Sequence, residues 1–327
     1  MNVEAKYYDK LSDDKVQCKL CPHNCVIKDG KTGLCLIRKN ENGTLYQTSY
    51  NEVSSLALDP IEKKPLYHFY PSSNILSIGT NGCNLKCPFC QNWQIVTTIT
   101  HREKINPDIL KEIATMNHSI GIAYTYNEPF IWYEFILDCA KVFKNAGLKN
   151  VFVTNGQINR EPLMELAPYI DAANIDLKGF TNDFYKWING DLTTTLNTIE
   201  YLFKNGSHIE LTNLVVTNKN DNSDTFDDMC RWIASISSDI PLHISRYFPN
   251  YKLNEPPTPL ETLKNFYEIA KKYLKYVYIG NVQIEDATDT LCPKCNHLLV
   301  KRDFYLTKCH IKEPVCPECS EKLYFVL

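Results

Sequence analysis

The sequence predicts an α/β chain built on a partial (β/α)6 barrel, with an N-terminal Cys-rich metal module before it and a C-terminal zinc-ribbon-like tail after it. Three observations carry this expectation. Short apolar runs rich in β-branched and aromatic residues alternate with helical patterns through the middle of the chain, which implies βαβ crossovers and a parallel sheet. Eleven of the 14 cysteines fall into three tight groups. The composition, 44% hydrophobic and 22% charged over 327 residues, is that of an ordinary globular protein with room for about two domains. The expected division is 1–72 for the N-terminal module and its strands, 73–286 for the barrel and 287–327 for the ribbon.

Taken in order, 1–40 is polar, turn-rich and cysteine-rich, and 43–60 reads as short strands with a turn at Asp59-Pro60. Strands are predicted at 74–80, 119–126, 148–155, 172–178, 208–216 and 242–248, with a further strand at 276–282. Helices are predicted between them at 107–117, 129–146, 160–168, 193–205, 223–238 and 258–274. The apolar positions of 129–146, among them Phe130, Tyr133, Ile136, Leu137, Ala140 and Phe143, keep close to a 3.6-residue period. Pro107, Pro129 and Pro162 sit near helix starts, where a missing N–H costs least, and Gly147 follows a helix end. A doubly wound open sheet is the architectural alternative. In both architectures chemistry belongs at the C-terminal ends of the strands.

The net charge of −3 offers no polybasic footprint for nucleic acid and no cationic face for a membrane. No apolar run is long enough to span a bilayer and the N-terminus lacks a signal-like apolar region, so a cytoplasmic protein is expected. In that reducing compartment, clustered cysteines point to metal or catalysis rather than disulfides.

Directly after the first barrel strand comes Cys83-x3-Cys87-x2-Cys90. Three thiolates cannot complete a [4Fe–4S] cluster, which usually takes four, so one iron would stay open to bind a cofactor. A zinc knuckle, or an electron-transfer cluster with a remote fourth ligand, is the plainer alternative. Phe89, Gly82 and the preceding strand favour the open cluster.

In this region the chain resembles the radical SAM superfamily. The flanking text brings the match closer: CKLCPHNC…GLC (18–35), DPIEKKPLYHFYP (59–71), GCNLKCPFCQNW (82–93), YTYNEP (124–129), TNG (154–156), IDLKGF (175–180) and HISRYFPNYK (243–252). Together they are similar to the AmmeMemoRadiSam system radical SAM enzymes, relatives of the pyruvate formate-lyase activating enzymes. The resemblance covers nearly the whole chain. It implies a radical SAM partial barrel, a [4Fe–4S] cluster on Cys83, Cys87 and Cys90, S-adenosylmethionine as cofactor, an unidentified substrate and a low-potential electron donor.

In similar activating enzymes a Gly-Gly-Glu grips the amino group of S-adenosylmethionine. Glu128 matches its acid, with Tyr126 and Asn127 in place of the glycines, while a bland reading makes Glu128 a helix-start charge. Asp176 and Lys178 share a strand face and match an Asp-x-Lys that contacts the cofactor; a structural ion pair is the alternative. Phe89, Asn155 and His243 complete the candidate cofactor contacts. The aspartate that helps form a cation site in pyruvate formate-lyase activases is replaced here by Val153, which leaves that site incomplete even though Asp176 remains. His68 and His23 are weaker candidates, the latter as a metal ligand.

Two flanking sites remain. Cys292-x2-Cys295 and Cys316-x2-Cys319, separated by 20 residues, read as a closed, rubredoxin-like structural zinc site, with iron as the alternative. Cys18, Cys21, Cys25 and Cys35 offer four thiolates for zinc or an auxiliary iron–sulfur cluster, with a structural metal preferred. The leading expectation is a radical SAM enzyme that makes a 5′-deoxyadenosyl radical and abstracts hydrogen from its substrate. A glycyl-radical-enzyme activase acting on a partner protein and a non-enzymatic iron–sulfur or zinc binding protein are the competing readings.

Overall fold

The structure is a computed structural model that describes residues 2–282, 284, 287–303 and 305–327. Its centre is a sheet of eight strands: β1 (Ser55–Pro60), β2 (Asn74–Gly79), β3 (Gly121–Tyr124), β4 (Lys149–Thr154), β5 (Ala172–Asp176), β6 (His208–Val215), β7 (Leu242–Arg246) and β8 (Val277–Gly280). The strands lie side by side in chain order. All pairs from β2 to β8 are parallel, and β1 runs antiparallel along β2. A doubly wound sheet would reverse its strand order at a switch point. This order never reverses, so the sheet winds one way, as an open partial barrel does.

The six expected units are all present, and the strand at 276–282 settles as β8. Between the parallel strands lie α1 (Trp93–Thr97), α2 (Pro107–Met116), α3 (Tyr133–Asn145), α4 (Arg160–Leu166), α5 (Asn182–Trp187), α6 (Leu192–Lys204), α7 (Ser223–Ile236) and α8 (Leu260–Lys271). Helix starts follow side-chain chemistry. Asn106, Thr181, Asp191 and Asn222 each accept a backbone N–H of the first turn, and Pro107 occupies the first helical position.

Three expectations change. The turn at Asp59-Pro60 is absent: both residues belong to β1, and Pro60 pairs with Asn74. A proline is tolerated there because β1 is an edge strand. The helix at 129–146 opens as a 3-10 turn over Pro129–Trp132 before α3 begins. The short helices α1 and α5 had no periodic signal. The expected barrel boundary at 286, and Phe304 within the ribbon, lie outside the described residues.

The end of the barrel opposite the C-terminal strand ends is plugged. Ile61, Leu66 and Phe69 pack against Ile75, Ala123, Val151 and Ala172, with Val326 from the chain end beside them. Next to this apolar plug lies a buried polar set centred on Glu210. Its carboxylate accepts from Tyr67 N (3.0 Å) and His68 N (2.7 Å) and contacts the rings of His208 (3.1 Å) and His243 (2.7 Å). Burial alone would raise this carboxyl; the two histidines hold it well below its ordinary range. Arg302 joins the two open edges of the sheet: it donates to Tyr67 O, just past β1, and to Thr288 O and Thr290 Oγ1, past β8. Among the described residues no helix is long and apolar enough to cross a membrane.

The N-terminal module is two small antiparallel sheets, one from 8–10, 16–18 and 26–27 and one from 3–4, 38–41 and 44–47. It is fastened to the barrel by a buried ion pair between Arg38 and Glu134 on α3, with side chains 1% and 6% exposed. Removing one member of such a pair strands the other charge without water. Glu134→Ala is therefore expected to lower the unfolding free energy by about 3–5 kcal/mol, whereas Arg38→Met with Glu134→Leu costs clearly less. Urea denaturation of the single and double variants measures both.

Candidate functional site

The C-terminal ends of the strands open onto a cavity of about 1280 Å³. The parallel register places Gly79, Tyr124, Thr154 and Asp176 along one rim, so the loops that follow them converge. Cys83, Cys87 and Cys90, on the loop after β2, all line this cavity. The loop is held tightly from behind. Gly82 has φ +89°, and a Cβ there would come within 2.2 Å of the Cys35 carbonyl oxygen, so only glycine fits. Cys83 Sγ accepts from Leu85 N at 3.3 Å and lies 3.7 Å from Asn155 Nδ2. Burial, and after it the Glu128 carboxylate, push the Cys83 thiol well above its ordinary range. Burial does the same to Cys87, up to about 11.

Glu128 is buried at the cavity wall and staples two strand ends together. Its Oε1 accepts from Phe130 N (3.0 Å) and Thr154 Oγ1 (2.7 Å), and its Oε2 from Asn155 N (2.8 Å). A carboxylate has about four acceptor positions, so about one is left for a ligand. Glu128 starts the 3-10 turn, as the helix-start reading expects, and it also lines the cavity. Burial lifts its carboxyl to about 7 despite these hydrogen bonds.

Tyr126 and Asn127, which stand where similar enzymes have glycines, are accommodated differently. Tyr126 takes φ +70°, a region that favours glycine, and is held there by its hydroxyl donating to Asp59 (2.7 Å) and by Lys64 over its ring (4.8 Å). Asn127 ties β2 to this loop by accepting from Thr80 N (3.0 Å) and donating to Gly82 O (3.0 Å).

Asp176 and Lys178 face the cavity as an ion pair at 2.8 Å. Burial would lower the Lys178 ammonium, but Asp176 and Cys87 hold it above its ordinary range. Asn155 donates to Asn84 Oδ1 (3.0 Å). Phe89 packs against Trp187 (5.5 Å between ring centres). His243 reaches the cavity wall, but its Nε2 is engaged by Glu210. His68 lies deeper, between Tyr278 Oη (2.6 Å) and Tyr324 O (2.7 Å), and burial drives its ring down to about 3. Val153 lines the cavity with no charge to offer a cation.

The flanking cysteines form two separate groups. In the tail, strands β9 (Thr290–Leu291), β10 (Leu298–Asp303) and β11 (Leu306–Cys309) support Cys292, Cys295, Cys316 and Cys319. The four sulfurs lie within 4.8 Å of one another, with 3.6 Å across Cys292–Cys319 and across Cys295–Cys316. This group is arranged to bind a metal ion. Cys18, Cys21, Cys25 and Cys35 line a smaller cavity behind Asn84. His23 gives its Nε2 to Asn84 O at 2.6 Å.

Sequence reasoning passed over four contributors: Asn84, Glu210, Tyr67 and Arg302. Asn84 was within reach, since it lies inside the cysteine loop. The other three meet only through the fold.

The winding, the rim position and the three-thiol loop define a radical SAM protein, and the chain belongs to the radical SAM superfamily, whose profile matches residues 77–233. It is 43% identical to the uncharacterized protein MJ0808 of Methanocaldococcus jannaschii over 99% of both chains. It is also 26% identical to the pyruvate formate-lyase 1-activating enzyme of Escherichia coli K12 over 152 residues, 44% of this chain and 62% of that one. Among solved structures, Streptococcus suis SuiB bound to S-adenosylmethionine matches with TM-score 0.52 and 14% identity, covering 64% of this chain and 52% of that one. A radical SAM methyltransferase from Sphaerobacter thermophilus matches with TM-score 0.51 and 14% identity, covering 70% and 71%. Both likenesses show the fold. The protein is thus an enzyme of the radical SAM class, for which the family implies a [4Fe–4S] cluster and S-adenosylmethionine. The donor set fits that cluster: three thiols on one loop face a cavity large enough for a cofactor.

The raised Glu128 carboxyl has a measurable consequence. Its folded value, about 7, exceeds the ordinary 4.5. The folded protein therefore keeps a proton that the unfolded chain gives up, and stability falls as pH rises from about 4.5 to about 7, by at most ~1.4 kcal/mol per pH unit. In cofactor-free protein, denaturant melts across this window should show that fall for the wild type, and Glu128→Gln should lack it.

Proposed function

We propose that the protein reductively cleaves S-adenosylmethionine to a 5′-deoxyadenosyl radical, which abstracts a hydrogen atom from a substrate bound in the 1280 Å³ cavity. The observation that carries this reading is the convergence of Cys83, Cys87 and Cys90 with Glu128, Asp176 and Lys178 around one cavity. Cys83, Cys87 and Cys90 would hold the cluster, leaving one iron for the cofactor. When bound, the cluster supplies the electron that breaks the S–C5′ bond.

The chain's own residues do the positioning. Glu128 offers its remaining acceptor position to the cofactor's ammonium, and a cation there favours the ionised carboxylate. The Asp176–Lys178 pair presents both signs to a zwitterion, and Lys178 also lies close enough to Cys87 to offset thiolate charge. Asn155, fixed by Glu128 and Asn84, donates toward Cys83. Phe89 gives the cavity apolar surface, while Glu210 keeps His243 oriented in its lining. Within the superfamily, the motifs quoted above support the AmmeMemoRadiSam branch. In the tail, the 3.6 Å sulfur spacing supports a single tetrahedral ion such as zinc, because Zn–S bonds of about 2.3 Å put tetrahedral sulfurs about 3.8 Å apart.

Anaerobic incubation with dithionite and S-adenosylmethionine is expected to yield 5′-deoxyadenosine and methionine. Cys87→Ala should abolish both products while the tail keeps its metal. Wild-type protein with a filled cluster that makes no 5′-deoxyadenosine, with or without candidate substrates, contradicts the proposal. Asp176→Asn should raise KM for S-adenosylmethionine about tenfold or more, the scale of one lost charge-assisted contact.

A second reading, activation of a glycyl-radical enzyme, rests on the likeness to the E. coli activating enzyme. It calls for a glycyl spin signal on a partner protein after turnover. A small-molecule product formed without that signal excludes it. For the tail, Cys316→Ser is expected to lose one equivalent of zinc by elemental analysis and to lower the melting temperature, since structural zinc contributes directly to folding.

A further inference from the structure

Cys18, Cys21, Cys25 and Cys35 surround one cavity of about 20 Å³, and all four are free of disulfides. Two features set this quartet apart from the one in the tail. The first is sulfur spacing. Among the described residues, the tail cysteines form the one group of three or more metal-ligating side chains whose ligand atoms all lie within 4.8 Å. A single zinc ion draws its sulfurs that close. Neither the N-terminal sulfurs nor those of Cys83, Cys87 and Cys90 include three that lie within 4.8 Å of one another. Wider spacing is what a cluster requires, because each thiolate then holds a different iron.

The second feature is position. The Cys35 carbonyl lies against Gly82, the residue before Cys83. His23 reaches Asn84 O at 2.6 Å, and Lys86 Nζ donates to Leu34 O at 3.0 Å. Asn84, which lines the N-terminal cavity, follows Cys83 directly in the chain. The two sites thus share a wall one residue thick. Burial across the quartet is graded: Cys18 and Cys35 are buried, whereas Cys21 and Cys25 are partly open to solvent. Cys18 Sγ also accepts from Arg38 Nη1 at 3.7 Å, and hydrogen bonds to sulfur help set a cluster's potential.

We propose that Cys18, Cys21, Cys25 and Cys35 hold a second, fully ligated [4Fe–4S] cluster that relays single electrons to the catalytic cluster. The acceptor in this proposal rests on the radical SAM site described above. A low-potential one-electron donor protein, of the iron–sulfur or flavin class, reduces the N-terminal cluster from 2+ to 1+ on its solvent side. That cluster then passes the electron across the shared wall, reducing the catalytic cluster from 2+ to 1+ and returning to 2+. No bond forms or breaks at the N-terminal site, and four cysteines leave no iron open for S-adenosylmethionine. Zinc could not do this, having no accessible second oxidation state.

The test begins with anaerobically purified wild-type protein, the triple variant Cys83→Ala/Cys87→Ala/Cys90→Ala, and Cys25→Ala. The wild type is expected to carry about eight irons and one zinc per chain, and the triple variant about four irons and one zinc. Reduced triple variant should show an electron-spin signal that S-adenosylmethionine leaves unchanged. Reduced Cys25→Ala should keep the S-adenosylmethionine-sensitive signal. With dithionite, Cys25→Ala should still make 5′-deoxyadenosine; with reduced flavodoxin or ferredoxin as donor, it should lose that product. About four irons and two zincs in the wild type, with an iron-free triple variant, overturn the proposal and leave the radical SAM reading standing. Equal donor-supported rates in Cys25→Ala and wild type overturn the relay. A triple variant that keeps its four irons, beside a wild type that cleaves no S-adenosylmethionine, places the failure in the radical SAM reading and removes the relay's acceptor. Should Cys25→Ala misfold, Cys21→Ser serves the same comparison.

Discussion

The buried carboxylate of Glu128 is the constraint on which the site's shape depends. It sits at the end of β3, and its three hydrogen bonds reach its own helical turn and the end of β4. In a water-poor setting such bonds are directional and costly to leave unmade. They fix Thr154 and Asn155, and Asn155 in turn fixes Asn84 within the cysteine loop. One carboxylate thereby aligns three consecutive strand ends. The same burial that makes these bonds strong also raises the carboxyl toward neutrality.

A second constraint works from outside the barrel. An open sheet leaves two edges and a gap, and this chain covers them with its own ends. The segment after β1 and the chain terminus plug the lower end. Arg302 spans from Tyr67 to Thr288 and Thr290 across the gap. The N-terminal module backs the cysteine loop through Gly82 and the Arg38–Glu134 pair. The cavity is therefore bounded by barrel, tail and N-terminal contacts together, and a change in either flanking module should be felt at the site.

Much of this was legible in the sequence, for physical reasons. β-Branched and aromatic runs marked every parallel strand, and prolines marked three of the predicted helix starts. Cysteine spacing isolated three thiol groups, because metal ligation demands several thiols near one another in the chain. Other features were illegible because their causes are nonlocal. Pro60 reads as a turn until β1 is known to be an edge strand. Glu210 sits in a strand among apolar neighbours, and its partners come from 67–68, 208 and 243. His243 was picked out as a candidate cofactor contact; the fold shows a ring already engaged by that carboxylate. Tyr126 at φ +70° could not be foreseen either, since nothing local replaces the missing glycine. Its support comes from Asp59 and Lys64 on and beside another strand.

The three cysteine groups also show how thiol arrangement divides labour. Four sulfurs drawn within 4.8 Å leave space for one ion and no substrate, which suits a tail that must hold its shape. Three sulfurs on one loop, opening onto a large cavity, leave a coordination site facing that cavity. Four cysteines around a small cavity leave no room for a substrate, yet that cavity is lined by Asn84, the residue after Cys83. Tight spacing argues for structure, a missing ligand for chemistry, and a complete thiol set beside the chemistry for the proposed electron supply. On this reasoning Gly82 carries two duties. It lets the cysteine loop turn, and by having no side chain it lets the Cys35 carbonyl pack directly against that loop.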